Sequence, residues 1–220
     1  MKQYDVVIPL RDKPSLYNDV EILYCLRSIE KYMDVNDVWM IGTPREYLSV
    51  NWIECKDLPN RFESVRQKLL KVSENPYISD PFILFNDDFI LTQKVNELPD
   101  YYEGTLDDRL NTAGGNYREA MILTKEHSQD NRNYSIHVPC FIDKGSIKKT
   151  IEGGLSRNII LSHSKRDKVE MIDPKLYNKE RHNSFNEFCK QNWCISLAEG
   201  SLSQVMRDLE RMFPEPSRWE

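Results

Sequence analysis

Two adjacent carboxylates, Asp87 and Asp88, interrupt an otherwise apolar run from Phe82 to Leu91, with Asn86 immediately before them. Anions at the end of a buried strand repel one another and lose hydration, so they demand a compensating partner. A divalent cation with a preference for oxygen ligands, Mg2+ or Mn2+, would serve, since such ions bind through one or two carboxylates together with substrate phosphates. Held by Asp87 and Asp88, it would bridge the protein to a diphosphate and neutralise charge as a leaving group departs. The same two aspartates also suit a turn or a helix cap.

His137 is the candidate for acid–base chemistry, because an unperturbed imidazole titrates near ~6.5 and accepts a hydroxyl proton at neutral pH. A structural role is the plainer reading of an isolated histidine. His163, in Ser162-His163-Ser164, is a second option, and Asp107 or Asp108 would supply a carboxylate base instead. Arg11 and Asp12 follow the first apolar run, where the base and ribose of a nucleotide would sit, or form an ordinary loop charge pair. Arg27 lies on a helical pattern with an apolar opposite face and suits either a phosphate contact or solvent. Arg66, Gln67 and Lys68 occupy consecutive helix positions and cannot all share a face, so Lys68 is preferred for the diphosphate. Thr43 after Gly42 offers a hydroxyl to the nucleotide or simply closes a turn. Asn183, Ser196 and Glu199 are further pocket candidates.

These residues need a scaffold that gathers them. The β-branched segment 4–9 reads as a buried first strand ended by Pro9. Residues 19–32 switch to helical spacing, with Asn18 as N-cap. Strands are expected at 37–42, 52–55 and 81–86, with a helix over 61–73 before the last of these. Strands apolar on both faces and alternating with helices imply a mostly parallel, Rossmann-like α/β sheet flanked by helices. Ligands gather beyond the carboxyl ends of such strands, so Pro9 to Asp12, Gly42 to Pro44 and Asn86 to Asp88 should converge on one crevice. The second half is less regular, with helical patterns near 117–126, 145–152 and 202–212, the last stopped by the prolines after Phe213.

The 220 residues suffice for one domain, with 1–95 as the nucleotide-binding half and 96–220 as the acceptor-binding half with C-terminal helices. With 40% hydrophobic, 10% aromatic and 30% charged residues, the chain has a globular composition. Apolar runs all fall well short of the roughly 20 residues that span a bilayer, and the expected location is cytoplasmic, without membrane insertion. Five widely spaced cysteines without a C-x-x-C pair point to buried free thiols. A net charge of -5 gives no general pull toward nucleic acid. Basic residues recurring from Lys144 to Lys168 face either a phosphate-bearing partner or solvent.

The segment 19–32, containing Leu26-Arg27-Ser28-Ile29-Glu30-Lys31-Tyr32, followed by Asn86-Asp87-Asp88-Phe89, resembles the paired blocks of the Stealth-type sugar-phosphate transferases and related capsule-synthesis proteins. Tyr134 to Pro139 with Asp143-Lys144 is similar to a later block of that family, and the ending from Phe213 to Glu220 resembles compact phage-encoded relatives. The resemblance implies a glycosyltransferase A type fold, a nucleotide-sugar donor (a UDP-sugar first), and a metal and diphosphate at Asp88 with Asp87 or Asn86 beside it. Ile8-Pro9-Leu10-Arg11-Asp12 replaces the family's tryptophan-containing start, which leaves open transfer of a sugar or of a sugar 1-phosphate. The expected acceptor is a hydroxymethylated pyrimidine of phage DNA, inside a bacterial host, although the negative charge weighs against DNA. A cell-surface or capsular glycan is the alternative, and a non-catalytic nucleotide-binding module the third.

Overall fold

A computed structural model describes residues 3–177, 185–198 and 200–220. The first half builds β1 (Tyr4–Pro9), α1 (Val20–Tyr32), β2 (Val35–Gly42), β3 (Asn51–Glu54), α2 (Arg61–Glu74), β4 (Phe82–Leu84) and β5 (Phe89–Leu91). The second half adds β6 (Asp100–Tyr102), α3 (Leu106–Thr112), α4 (Gly115–His127), β7 (Cys140–Ile142), α5 (Lys144–Ile147) and α6 (Ser156–Ser162). It ends with β8 (Lys168–Glu170), β9 (Lys175–Leu176), α7 (Phe185–Gln191), β10 (Cys194–Leu197) and α8 (Leu202–Met212).

The main sheet runs β3-β2-β1-β4-β7, parallel except for β7, which pairs antiparallel with β4. The period-2 pattern of β1 divides its side chains between two cores. Val6 and Ile8 pack with Ile22, Cys25, Leu26 and Ile29 of α1, while Val7 joins Leu69 and Val72 of α2 on the other face. Helices thus cover both faces, which is why these strands carry no polar alternation. The mixed α/β architecture with a mostly parallel sheet agrees with the sequence expectation.

Helix α2 begins where Asn60 Oδ1 accepts the Phe62 and Glu63 backbone N–H groups, a side-chain cap. Asn18 does not cap α1. Both Asn18 and Asp19 adopt left-handed backbone, with φ of 54° and 62°, and Asp19 takes the cap position without capping. Its carboxylate instead accepts Ser15 N–H at 2.7 Å and Arg45 Nε at 2.7 Å.

The apolar run 82–91 is not one strand and its flank. It is two short strands in different sheets, β4 in the main sheet and β5 in a three-stranded sheet ordered β5-β10-β9, with Asp87 and Asp88 in the turn between them. The helix expected over 145–152 shortens to Lys144–Ile147, while those near 117–126 and 202–212 form. All five cysteines are buried free thiols. Among the described residues, no helix is long and apolar enough to cross a membrane.

Candidate active site

Strand order reverses between β1 and β4: the chain leaves β1 toward β2 and β3, then returns to place β4 on the opposite side. Loops leaving the carboxyl ends of those two strands diverge and leave a crevice, the usual ligand position in such sheets. A cavity of about 400 Å³ opens there. Its walls carry Arg11 after β1, Tyr17 in the turn before α1, Glu21 in the first turn of α1, Arg61 at the start of α2, the turn Asn86-Asp87-Asp88, His137, and Lys175 on β9.

The turn is held from both sides. Asp88 Oδ2 accepts the Ser196 hydroxyl at 2.5 Å and lies 3.9 Å from Lys175 Nζ, and its carbonyl accepts the Leu197 N–H at 3.0 Å. On the α1 side, the Cys25 thiol donates to the Asn86 carbonyl at 3.6 Å. Burial, then the Asp87 charge, pushes that thiol far up, so it remains a neutral donor. Asp87 is pushed up to about 7, by burial first and then by Asp88 and Glu21, with Arg11 opposing. Its negative charge is therefore under-compensated by the protein.

Among the described residues, no three histidine, cysteine or carboxylate side chains gather into a metal-binding group. Asp87 and Asp88 alone supply a two-carboxylate donor set. That set has the oxygen chemistry that Mg2+ or Mn2+ takes, and Asp87 and Asp88 would hold such an ion only together with phosphate oxygens and waters. The raised Asp87 marks where an added cation would be favourable.

His137 reaches the same cavity in a fixed orientation. Asp173 accepts both its backbone N–H, at 2.9 Å, and its ring Nδ1, at 2.7 Å. Burial alone would raise the Asp173 carboxyl, but the His137 hydrogen bond and charge hold it below the usual range. With Nδ1 occupied, Nε2 is the nitrogen available to a substrate, the arrangement that suits a general base.

Several expected contacts lie beside the cavity rather than in it. Asp12 accepts the Thr43 hydroxyl at 2.7 Å and the Asp57 backbone N–H at 2.9 Å, so both residues tie strand-end loops together. Lys68 is 3% exposed beneath those loops, donating to the Leu10 carbonyl at 2.6 Å and to Asp57 at 2.5 Å. Burial opposes ionisation of Asp57, and Lys68 with the Asp12 amide overcomes it and lowers the carboxyl. Pro9 ends β1 and does not line the cavity. Arg66 bonds the Thr150 carbonyl. Arg27 is drawn away altogether, forked onto Glu220 at 2.8 and 2.6 Å and bonded to the Phe213 carbonyl.

His163 lines a separate surface cavity, burial lowering its pKa. Asp107 binds Lys125 and Asn131, and Asp108 caps α3 with Thr105. Ser196 is brought in, as the partner of Asp88. Asn183 and Glu199 lie outside the described residues.

Sequence reasoning missed Glu21, Arg61, Asp173 and Lys175. Glu21 and Arg61 sit in first helical turns, where charge reads as solvent-facing, while Asp173 and Lys175 flank a proline in an irregular stretch. It also missed Arg45, 9% exposed, which bonds Asp19 and the carbonyls of Thr43 and Arg11 and so braces the cavity rim.

No protein-family model and no curated protein matches the chain. Among solved structures it is similar to the glycosyltransferase GlyE of Streptococcus pneumoniae TIGR4, at 12% identity and a TM-score of 0.41 over 79% of this chain and 46% of that one. The apo form of the same glycosyltransferase aligns at 14% identity and a TM-score of 0.30, over 52% of this chain and 32% of that one. The chain spans less than half the length of either structure.

Proposed function

We propose that the chain is a metal-dependent glycosyltransferase that moves a sugar from a nucleotide diphosphate donor, a UDP-sugar first among them, to an acceptor hydroxyl. The observation that carries this reading is the Asp87-Asp88 turn at the strand-order reversal, anionic, under-compensated and facing a polar cavity. The sequence resemblance of the same turn and of α1 to sugar-phosphate transferases supports the donor class.

Mn2+ or Mg2+ on Asp87 and Asp88 would supply the charge that stabilises a departing nucleoside diphosphate. Ser196 and Lys175 fix the Asp88 carboxylate, limiting the reorganisation needed on binding. Arg11 and Arg61 face the cavity as cationic contacts for phosphate oxygens. His137, oriented by Asp173, accepts the proton of the attacking hydroxyl at Nε2. Of the two expected acceptors we favour a glycan hydroxyl over a hydroxymethylated pyrimidine of phage DNA, since the net charge of -5 gives a duplex little attraction.

The test is thermal unfolding across a panel of nucleoside diphosphates and nucleotide sugars, each with and without Mn2+. A ligand that binds only the native state raises the melting temperature, by mass action. A Mn2+-dependent rise with one nucleotide class supports the donor site; no rise with any at saturating concentration removes it. Chromatography of turnover products then separates sugar transfer, which releases a diphosphate, from sugar 1-phosphate transfer, which releases a monophosphate.

A further inference from the structure

A second cavity, about 540 Å³, adjoins the first and shares Arg61, Asn86, His137 and Lys175 with it. Its outer wall is aromatic. The Phe62 and Tyr117 rings stand 6.4 Å apart, and the Arg61 guanidinium lies 4.7 Å from the Phe62 centroid and 6.0 Å from that of Tyr117. Its inner wall carries Ser156 and Arg157 at the start of α6.

These two residues are anomalous in the same way. Arg157 Nε and Nη2 are buried without a hydrogen-bond partner, and among the described residues no carboxylate pairs with this guanidinium. Ser156 is 4% exposed, and its hydroxyl is likewise buried and unbonded. Neighbouring polar groups are already used, since Asn158 accepts the Tyr134 N–H and donates to Ser135. Buried polar groups are hydrogen-bonded in native proteins, and a buried charge without a partner is unfavourable unless something supplies one. Nε and Nη2 form one edge of the guanidinium, the edge with which Arg27 grips both carboxylate oxygens of Glu220 in this same chain. The vacant edge of Arg157 therefore has the shape of a two-oxygen anion.

We propose that this second cavity is the acceptor subsite and that it takes a sugar bearing a carboxylate or a phosphate. Two anion oxygens fork onto Arg157 Nε and Nη2, and the Ser156 hydroxyl donates a further bond. The sugar ring lies against Phe62 and Tyr117, and a ring hydroxyl faces His137 at the junction of the two cavities. The assignment as acceptor subsite rests on reading the first cavity as the donor site; the anion recognition does not. A nucleic-acid strand fits less well, since the net charge of -5 gives it little general attraction.

The experiment is thermal unfolding with glucuronic acid, glucose 6-phosphate, glucose and a single-stranded oligonucleotide, on the wild type, Arg157→Met and Ser156→Ala, with UDP plus Mn2+ as a parallel arm. The charged sugars should raise the wild-type melting temperature and glucose should not; which charged sugar acts names the anion. Arg157→Met should weaken that response by about tenfold or more, the loss of a charge-assisted fork. It should leave the UDP response intact and leave the unliganded protein at least as stable, because two buried, unbonded guanidinium nitrogens are gone. A structural arginine would instead lower the unliganded melting temperature. If Arg157→Met does not fold, Ser156→Ala carries the test, with a smaller loss for the charged sugars alone. No response to either charged sugar, a response unchanged in both variants, or a response to the oligonucleotide alone overturns the proposal. A charged-sugar response without a UDP response leaves the anion site standing and removes the donor reading instead.

Discussion

Replacing Asp87 by Asn should stabilise the metal-free protein while removing its response to Mn2+ and nucleotide. In the folded chain the carboxyl is pushed from 3.8 up to about 7, by burial and by the charges of Asp88 and Glu21. Each pH unit of displacement corresponds to about 1.4 kcal/mol, so full ionisation opposes folding by about 4 kcal/mol. The carboxylate is only partly buried at the cavity wall. Water there should reduce the figure to about 2 kcal/mol.

Because the folded pKa is raised, the neutral form favours folding. This contribution is fully present below about pH 4 and is lost as the pH rises to about 7. Asn cannot ionise, so the variant's advantage over the wild type should be smallest at pH 4.5 and grow to about 2 kcal/mol at pH 8. Urea denaturation in EDTA at pH 4.5, 6 and 8 measures the gap. At pH 8, UDP with Mn2+ should then raise the wild-type melting temperature and leave the variant unmoved. A gap of constant size across these pH values, or a variant less stable at pH 8, would refute the assignment of Asp87 as an under-compensated anion.

His137→Asn should lower kcat by about 10²- to 10⁴-fold and leave the nucleotide melting shift intact, the range for loss of a general base. Asp173→Asn should lower kcat less and alter its pH profile, since Asp173 acts by orienting His137. Lys68→Met should destabilise by about 3 kcal/mol in urea, because it leaves Asp57 and the Leu10 carbonyl without their buried cation. Arg27→Ala should lower stability by about 2 kcal/mol through loss of the largely buried Glu220 fork, with no change in nucleotide affinity. A weakened nucleotide response in Arg27→Ala would restore the phosphate contact that the geometry denies it.

The parallel sheet was legible because buried strands of β1 and β2 must be apolar on both faces, and α1 shows its apolar stripe in a single pass. The crevice followed from strand order, and Asp87-Asp88 was visible because charge inside an apolar run has few explanations. Contacts made by side chains that look ordinary were not legible. Asp12, Thr43 and Lys68 occupy strand ends and a helix facing the crevice, yet each is consumed by a neighbouring loop. Which partner a charged group finds is set by three-dimensional proximity across 31 to 58 residues of sequence, and no local pattern encodes it. The pairing of Asp173 with His137 escaped for the same reason. The double strand 82–91 was read as one because an apolar run does not announce a change of partner, and only the two carboxylates marked the joint.

That joint has a consequence for the order of assembly. Phe89 to Leu91 pair with Cys194 to Ser196, and Asp88 binds a hydroxyl 108 residues further along the chain. Closing a loop of that length must precede any gain from the contacts it makes, so this pairing belongs to the later steps of folding. A nascent chain released only as far as β7 already holds every strand of the parallel sheet, yet lacks Ser196 and Lys175 and leaves Asp88 unrestrained. The Asp88 turn is therefore completed only with the last strand, and a cation bound there, as proposed, would double as a latch on the last region to close.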